Sequence, residues 1–137
     1  MHRYTRVLIG PFLALAVAGA CSKAAAPPSV KVTDVELGRA LDADKRISDK
    51  TDSFKPTDTI YVSVTTEGSS PGARITAHWT YQDGQVVKHD EVSIAPTGKA
   101  STEFHIAKPG GWPAGDYKVE VMLDGASAAT KSFTVSK

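Results

Sequence analysis

A single cysteine, Cys21, occurs in the 137 residues, so the chain cannot close an internal disulfide, and any two-layer fold it adopts must be held by packing alone. Net charge is also scarce, with 16 lysines and arginines against 15 acids. Arg3 and Arg6 sit ahead of an apolar run that reads as a removable leader, and without them 14 bases face 15 acids. So neutral a chain offers no basic stripe for a phosphate backbone, and nucleic acid is not expected as a partner. Long apolar runs are lacking too. The 14 residues 7–20 are free of charge, but at ~1.5 Å per residue they would span only ~21 Å of a hydrocarbon core ~30 Å thick. No later stretch is apolar enough to cross a membrane, and no 3.6-residue period occurs beyond that run.

The signatures of chemistry are missing as well. A nucleophilic enzyme needs an activated serine or thiol with a base beside it, and no serine lies in a Gly-x-Ser-x-Gly elbow. Asp42-Ala43-Asp44 opens like a calcium loop, but Arg46, Ile47 and Ser53 stand where an oxygen ligand, a glycine and a bidentate glutamate are required. His78, His89 and His105 fall on separate predicted strands, with His78 and His105 at outward positions, and read as isolated surface histidines with no metal between them. The expectation is no enzyme, no cofactor and no metal.

What is present begins with an address. Residues 1–6 carry two arginines, residues 7–20 are apolar, and Ala18-Gly19-Ala20-Cys21 follows, which is the layout of an export signal. Ala18-Gly19-Ala20-Cys21 resembles a bacterial lipobox, with alanine where leucine is usual at its first position. That resemblance implies cleavage before Cys21, acylation of its thiol and new amino terminus, and stable anchoring through several acyl chains. Ser22 after the cysteine, in place of aspartate, points in the same pattern to the outer membrane. Residues 22–29 are small and proline-rich and read as a flexible tether reaching ~25 Å when extended.

Residues 30–137 are read as one all-β domain. Residues 30–37 change parity near Thr33 and Asp34, which predicts a bulge in the first strand. Residues 39–55 are charged and irregular: a surface excursion pinned by Phe54, with a short strand at 45–48. Period-two alternation then predicts strands at 59–65 (Ile60, Val62 and Val64 inward), 73–81 (Ile75, Ala77, Trp79 and Tyr81), 85–94 (Val92 and Ile94) and 100–106 (Thr102, Phe104 and Ile106).

The clearest strand runs from Trp112 to Gly125. Tyr117, Val119, Val121 and Leu123 alternate with Asp116, Lys118, Glu120 and Met122, and Asp124-Gly125 is a strong hairpin signal. With its Trp112-Pro113-Ala114-Gly115 entry and Tyr117, this run resembles the F strand of bacterial immunoglobulin-like and fibronectin-III-like domains. The resemblance implies an antiparallel two-sheet sandwich of about seven strands, Trp79 buried on strand C, and a Tyr117 hydroxyl bonded back to the backbone. Anchor, tether and missing active site together predict a non-catalytic, lipid-anchored cell-envelope protein on the periplasmic face of the outer membrane, its domain serving as a protein-binding or structural accessory module. The alternative is a periplasmic inhibitor or ligand carrier that presents loop 68–72 or 108–114. Candidate partner contacts are Trp112, which could instead plug the end of the sandwich, and Lys118, Glu120 and Met122, which could be a merely solvated row.

Overall fold

The computed structural model describes residues 29–137. The expected leader, Cys21 and nearly all of the linker lie outside the described residues. Eight strands follow in order: β1 (Val30–Gly38), β2 (Ser53–Phe54), β3 (Ile60–Gly68), β4 (Ala73–Tyr81), β5 (Gln85–Ile94), β6 (Ala100–Ile106), β7 (Gly115–Leu123) and β8 (Ala126–Val135). They form a three-stranded sheet, β1-β3-β6, and a five-stranded sheet, β2-β8-β7-β4-β5. All ladders are antiparallel except the short β2–β8 pair.

Alternation along each strand decides what meets between the sheets. Ile60, Val62 and Val64 of β3 pair directly with Ile106, Phe104 and Thr102 of β6 and present one apolar wall. Ile75, Ala77 and Trp79 of β4 pair with Leu123, Val121 and Val119 of β7 and present the other. Trp79, Val119 and Val121 are 0% exposed, each contributing about the ~1.5–3 kcal/mol expected of a large apolar side chain removed from water. The predicted bulge in β1 falls between Val32 and Asp34. It moves Val35 and Leu37 onto the buried face despite their change of parity from Val30 and Val32.

Residues 39–50 differ from the reading made of them. No strand forms at 45–48; two isolated antiparallel bridges, Gly38 to Lys50 and Leu41 to Ile47, close the excursion on itself. The Asp42 carboxylate accepts from the amides of Asp44 (2.9 Å) and Arg46 (3.0 Å), and Lys45 is left-handed at φ 61°, so this backbone is committed to a turn. Ile47 packs against Gly38, where a Cβ would collide with it, and Ser63 Oγ donates to the Lys45 carbonyl (2.8 Å). Phe54 is buried as predicted, but as part of β2, paired in parallel with Val135.

The second departure concerns β5. Register places Val92 opposite Ile75, on the core side, yet Val92 remains 38% exposed. The facing sheet has only three strands and ends at β6, so β5 overhangs it and Val92 finds little to cover it. Ile94 is half-buried against the core. Lys88 and Asp90 point into this overhang, 3.4 Å apart, and Lys88 Nζ donates to the His105 carbonyl on β6 (3.4 Å). A charge pointing inward beside two free edges discourages further strand pairing.

Two outcomes test this architecture. Val121→Asp should leave no folded population by circular dichroism, because an unpaired buried carboxylate costs several kcal/mol against a total stability of ~5–15. Lys118→Glu, one face away, should change stability by no more than ~0.5 kcal/mol; equal sensitivity at both positions would contradict the two-sheet packing. Lys88→Val combined with Asp90→Val should produce concentration-dependent dimers or aggregates in sedimentation velocity that the parent protein does not form, since the two changes remove both charges from the overhang. Association no greater than that of the parent protein would show that this pair of charges guards nothing.

Candidate functional site

At the end of the sandwich where β4 and β6 finish and β7 begins, three connections converge on Tyr117. Gly111 turns the chain at φ 87° with its amide on the Lys108 carbonyl (2.8 Å), and the Trp112 amide bonds the Pro56 carbonyl (2.8 Å). Gly115 has φ 145°, and a Cβ there would come within 2.9 Å of the Tyr81 ring. Glycine is what lets β4 and the β7 entry close on each other. The Tyr81 hydroxyl donates to the Ala114 carbonyl (2.9 Å) and the Tyr117 hydroxyl to the Pro113 carbonyl (2.6 Å). The latter is the backbone bond expected of a tyrosine at this strand start.

The aromatic rings lock together around these bonds. Tyr117 stacks on Phe133 at 5.2 Å, lies 4.6 Å from Tyr81, and meets Trp112 edge-on at 6.5 Å. Lys108 Nζ sits 5.6 Å from the centre of the Trp112 ring, a cation–π geometry. Burial, reinforced by the neighbouring Tyr81 phenol, raises the Tyr117 pKa above its ordinary 10.0. Beside this cluster is an open hollow of about 230 Å³ lined by Tyr81, Gln85, Val86, Val87, Lys108, Trp112, Pro113 and Tyr117. Val86 on its wall is 60% exposed. The chain enters β1 at the opposite end, where Val30 pairs with Gly68; strands of nine residues separate the two ends by roughly 30 Å.

The candidate contact residues fall in two places. Trp112 is half-buried, packs on the core and walls the hollow. Lys118, Glu120 and Met122 stand on the outer face of β7, away from it, opposite Thr80, His78 and Thr76 of β4. Lys118 and Glu120 share a shallow depression of about 190 Å³ with His78, Thr80 and Thr130, and Glu120 accepts from Ser127 Oγ (3.1 Å). His78 and His89 meet edge-on across β4 and β5 with centroids 5.4 Å apart, while His105 lies elsewhere against Glu103 (3.0 Å). Among the described residues, no three of His, Cys, Asp or Glu are grouped to hold a metal ion.

Tyr81, Gln85, Val86 and Val87 were not singled out as site residues from the sequence. The available signal was Tyr81, placed on the inward face of its strand immediately before the Asp83-Gly84 turn, and so at the same end as the Trp112 entry.

No family model matches the chain, and no curated protein matches it. Solved structures do. An immunoglobulin-like protein from Pseudomonas aeruginosa is 18% identical over 82% of this chain and 100% of its own, with a TM-score of 0.56. A Pseudomonas fluorescens alkylpurine DNA glycosylase, solved bound to DNA containing an abasic site analog, is 16% identical over 79% of this chain but only 30% of its own (TM-score 0.51). A Listeria innocua beta-glucosidase is 9% identical over 80% of this chain and 16% of its own (TM-score 0.50). At these identities the likeness concerns the fold, an immunoglobulin-like β-sandwich. In the two enzymes it is confined to a minor part of each chain.

Tyr117→Phe isolates the bond at this corner. It leaves the Pro113 carbonyl without its donor and should lower stability by about 1–2 kcal/mol in thermal or urea unfolding. A phenol with a higher pKa folded than unfolded keeps its proton longer in the folded state. Its contribution is therefore complete below the unfolded value near 10.0 and is lost as pH rises through the folded one. Wild-type stability should accordingly decline above pH ~10 more steeply than that of Tyr117→Phe; parallel pH profiles would show that Tyr117 does not carry the effect.

Proposed function

We propose that this chain is a non-catalytic, lipid-anchored cell-envelope protein whose immunoglobulin-like domain is an accessory module that binds another protein. The observation that carries this reading is the braced aromatic hollow at the end of the sandwich farthest from the chain's entry into β1. With Cys21 acylated and residues 22–29 as tether, the domain is attached at its entry end and carries the hollow at the end farthest from that attachment. The outer membrane, on its periplasmic face, is the assignment that Ser22 favours. Trp112 then serves as both plug and contact, since one edge packs on Tyr117 while the ring walls the hollow.

An inhibitor that presents loop 108–114 is the second reading, favoured by how firmly that loop is braced. Against it, the Pro113 and Ala114 carbonyls already accept from Tyr117 and Tyr81, so they are committed inside the domain and do not serve strand-like pairing with a protease cleft. The binding-module reading therefore stands ahead.

Membrane fractionation and mass spectrometry of Cys21→Ser test the anchor on which this geometry depends. Wild-type protein should sediment with membranes and begin at an acylated Cys21, whereas the variant should appear in the soluble periplasmic fraction. A soluble wild-type protein with an unmodified thiol would overturn the anchor in this reading and leave the binding module to be tested by itself.

A further inference from the structure

The lining of the hollow, apolar walls beside one uncompensated cation, points to what it can hold. Four nearby carbonyls each already accept one bond: Pro113 from Tyr117, Ala114 from Tyr81, Lys108 from Gly111 and Pro56 from Trp112. The Tyr81 hydroxyl, besides donating, accepts from Gln82 Nε2 (3.2 Å). Among the side chains that line the hollow, Gln85, Trp112 and Lys108 have unmet hydrogen-bonding capacity, and Lys108 alone is charged. Trp112 Nε1 is buried with no hydrogen-bond partner, and Lys108 makes no ion pair among the described residues. With one cation and no anion in the lining, the occupant favoured is one that carries an anionic oxygen acceptor together with an apolar body for the tyrosine, tryptophan and valine walls.

Size and position narrow the class. At about 230 Å³ the hollow is smaller than the ~300–1,000 Å³ typical of sites that take a whole small molecule, and it suits one large side chain supplied by a larger partner. Gln85, Val86 and Val87 line it from β5, the edge strand of its sheet. A peptide backbone laid along that edge would bring an acidic side chain, and not a chain terminus, to Lys108. We propose that the Trp112 hollow binds a peptide segment of a partner protein that carries a bulky apolar side chain next to an acidic residue, the first seated between Tyr81 and Trp112 and the second paired with Lys108. This deepens the binding-module reading and rests on it.

The test uses full-length protein in detergent, ¹⁵N-labelled at its two tryptophans, with the indole signals assigned by Trp112→Phe. Acetyl-Phe-Glu-amide should shift the Trp112 indole signal saturably, with a dissociation constant on the order of 1 mM for so small a probe, and leave that of Trp79 in place. Acetyl-Phe-Gln-amide and acetyl-Ala-Glu-amide should each bind at least about tenfold more weakly. Lys108→Gln should retain both indole signals and lose the preference for glutamate over glutamine. No saturable shift, or equal shifts with all three peptides, would overturn the proposal. Tighter binding of acetyl-Phe with its free terminal carboxylate would overturn the assignment to an acidic side chain. Because membrane fractionation is scored independently, failure here leaves the anchored-module reading standing, and a soluble Cys21 protein leaves this one intact.

Discussion

The bond from the Tyr117 hydroxyl to the Pro113 carbonyl (2.6 Å) is the constraint on which one end of this molecule depends. Tyr117 is 1% exposed, so its hydroxyl must find an acceptor inside the protein. The nearest backbone, four residues upstream, can supply one only if the chain turns sharply between Trp112 and Gly115. That turn determines where Trp112 lies, brings Ala114 to the Tyr81 hydroxyl, and leaves the indole and Lys108 on the rim of the hollow. The ring fixes the core from the same position, stacking on Phe133, which in turn meets Trp79 edge-on at 6.0 Å and Phe54 at 5.5 Å. Tyr117 belongs to both core and site, and a change that loosens the first is expected to open the second.

The unequal sheets impose the other constraint. Five strands over three leave β5 without a facing layer, and its side chains show the consequence: Lys88 and Asp90 occupy inward positions that would be apolar under full cover. The bulge that leaves Val87 unpaired between the Trp79–Lys88 and Thr80–Val86 pairs turns the start of β5 toward the hollow. One edge strand thus carries two chemistries, an uncharged start beside the aromatic cluster and a charged middle that discourages pairing with another chain.

Much of this was legible in the sequence wherever one strand carried its own evidence. Ile60, Val62 and Val64, or Val119 and Val121, declare a buried face by a period of two. The β1 bulge declares itself by a change of parity. Asp124-Gly125 adopts the positive φ values, 50° and 83°, that its hairpin requires. Legibility ended where the outcome depended on another segment. Ser53 and Phe54 are too few to show a period, and their parallel pairing is decided by β8. The exposure of Val92 depends on how many strands lie opposite, which residues 85–94 do not encode. At residues 45–48 the predicted strand is reduced to the Leu41–Ile47 bridge, because the Asp42 side chain, and no partner strand, takes the amides of Asp44 and Arg46. The hollow draws on four separate stretches of chain, and only loop 108–114 and Trp112 stood out as candidate contacts.

On the proposed reading, a tether at one end and a binding hollow at the other make the long axis of the sandwich the functional axis. Photo-crosslinking in intact cells tests that polarity most directly, with a photoreactive amino acid placed singly at exposed positions of the two ends. Positions Gln85 and Pro109 flank the hollow, while Ser69 and Thr97 form a bridge at the end where the chain enters β1. The account predicts an adduct of the same defined mass from 85 and 109 and none from 69 or 97. An adduct confined to 69 and 97, or none at any of the four positions, would contradict it.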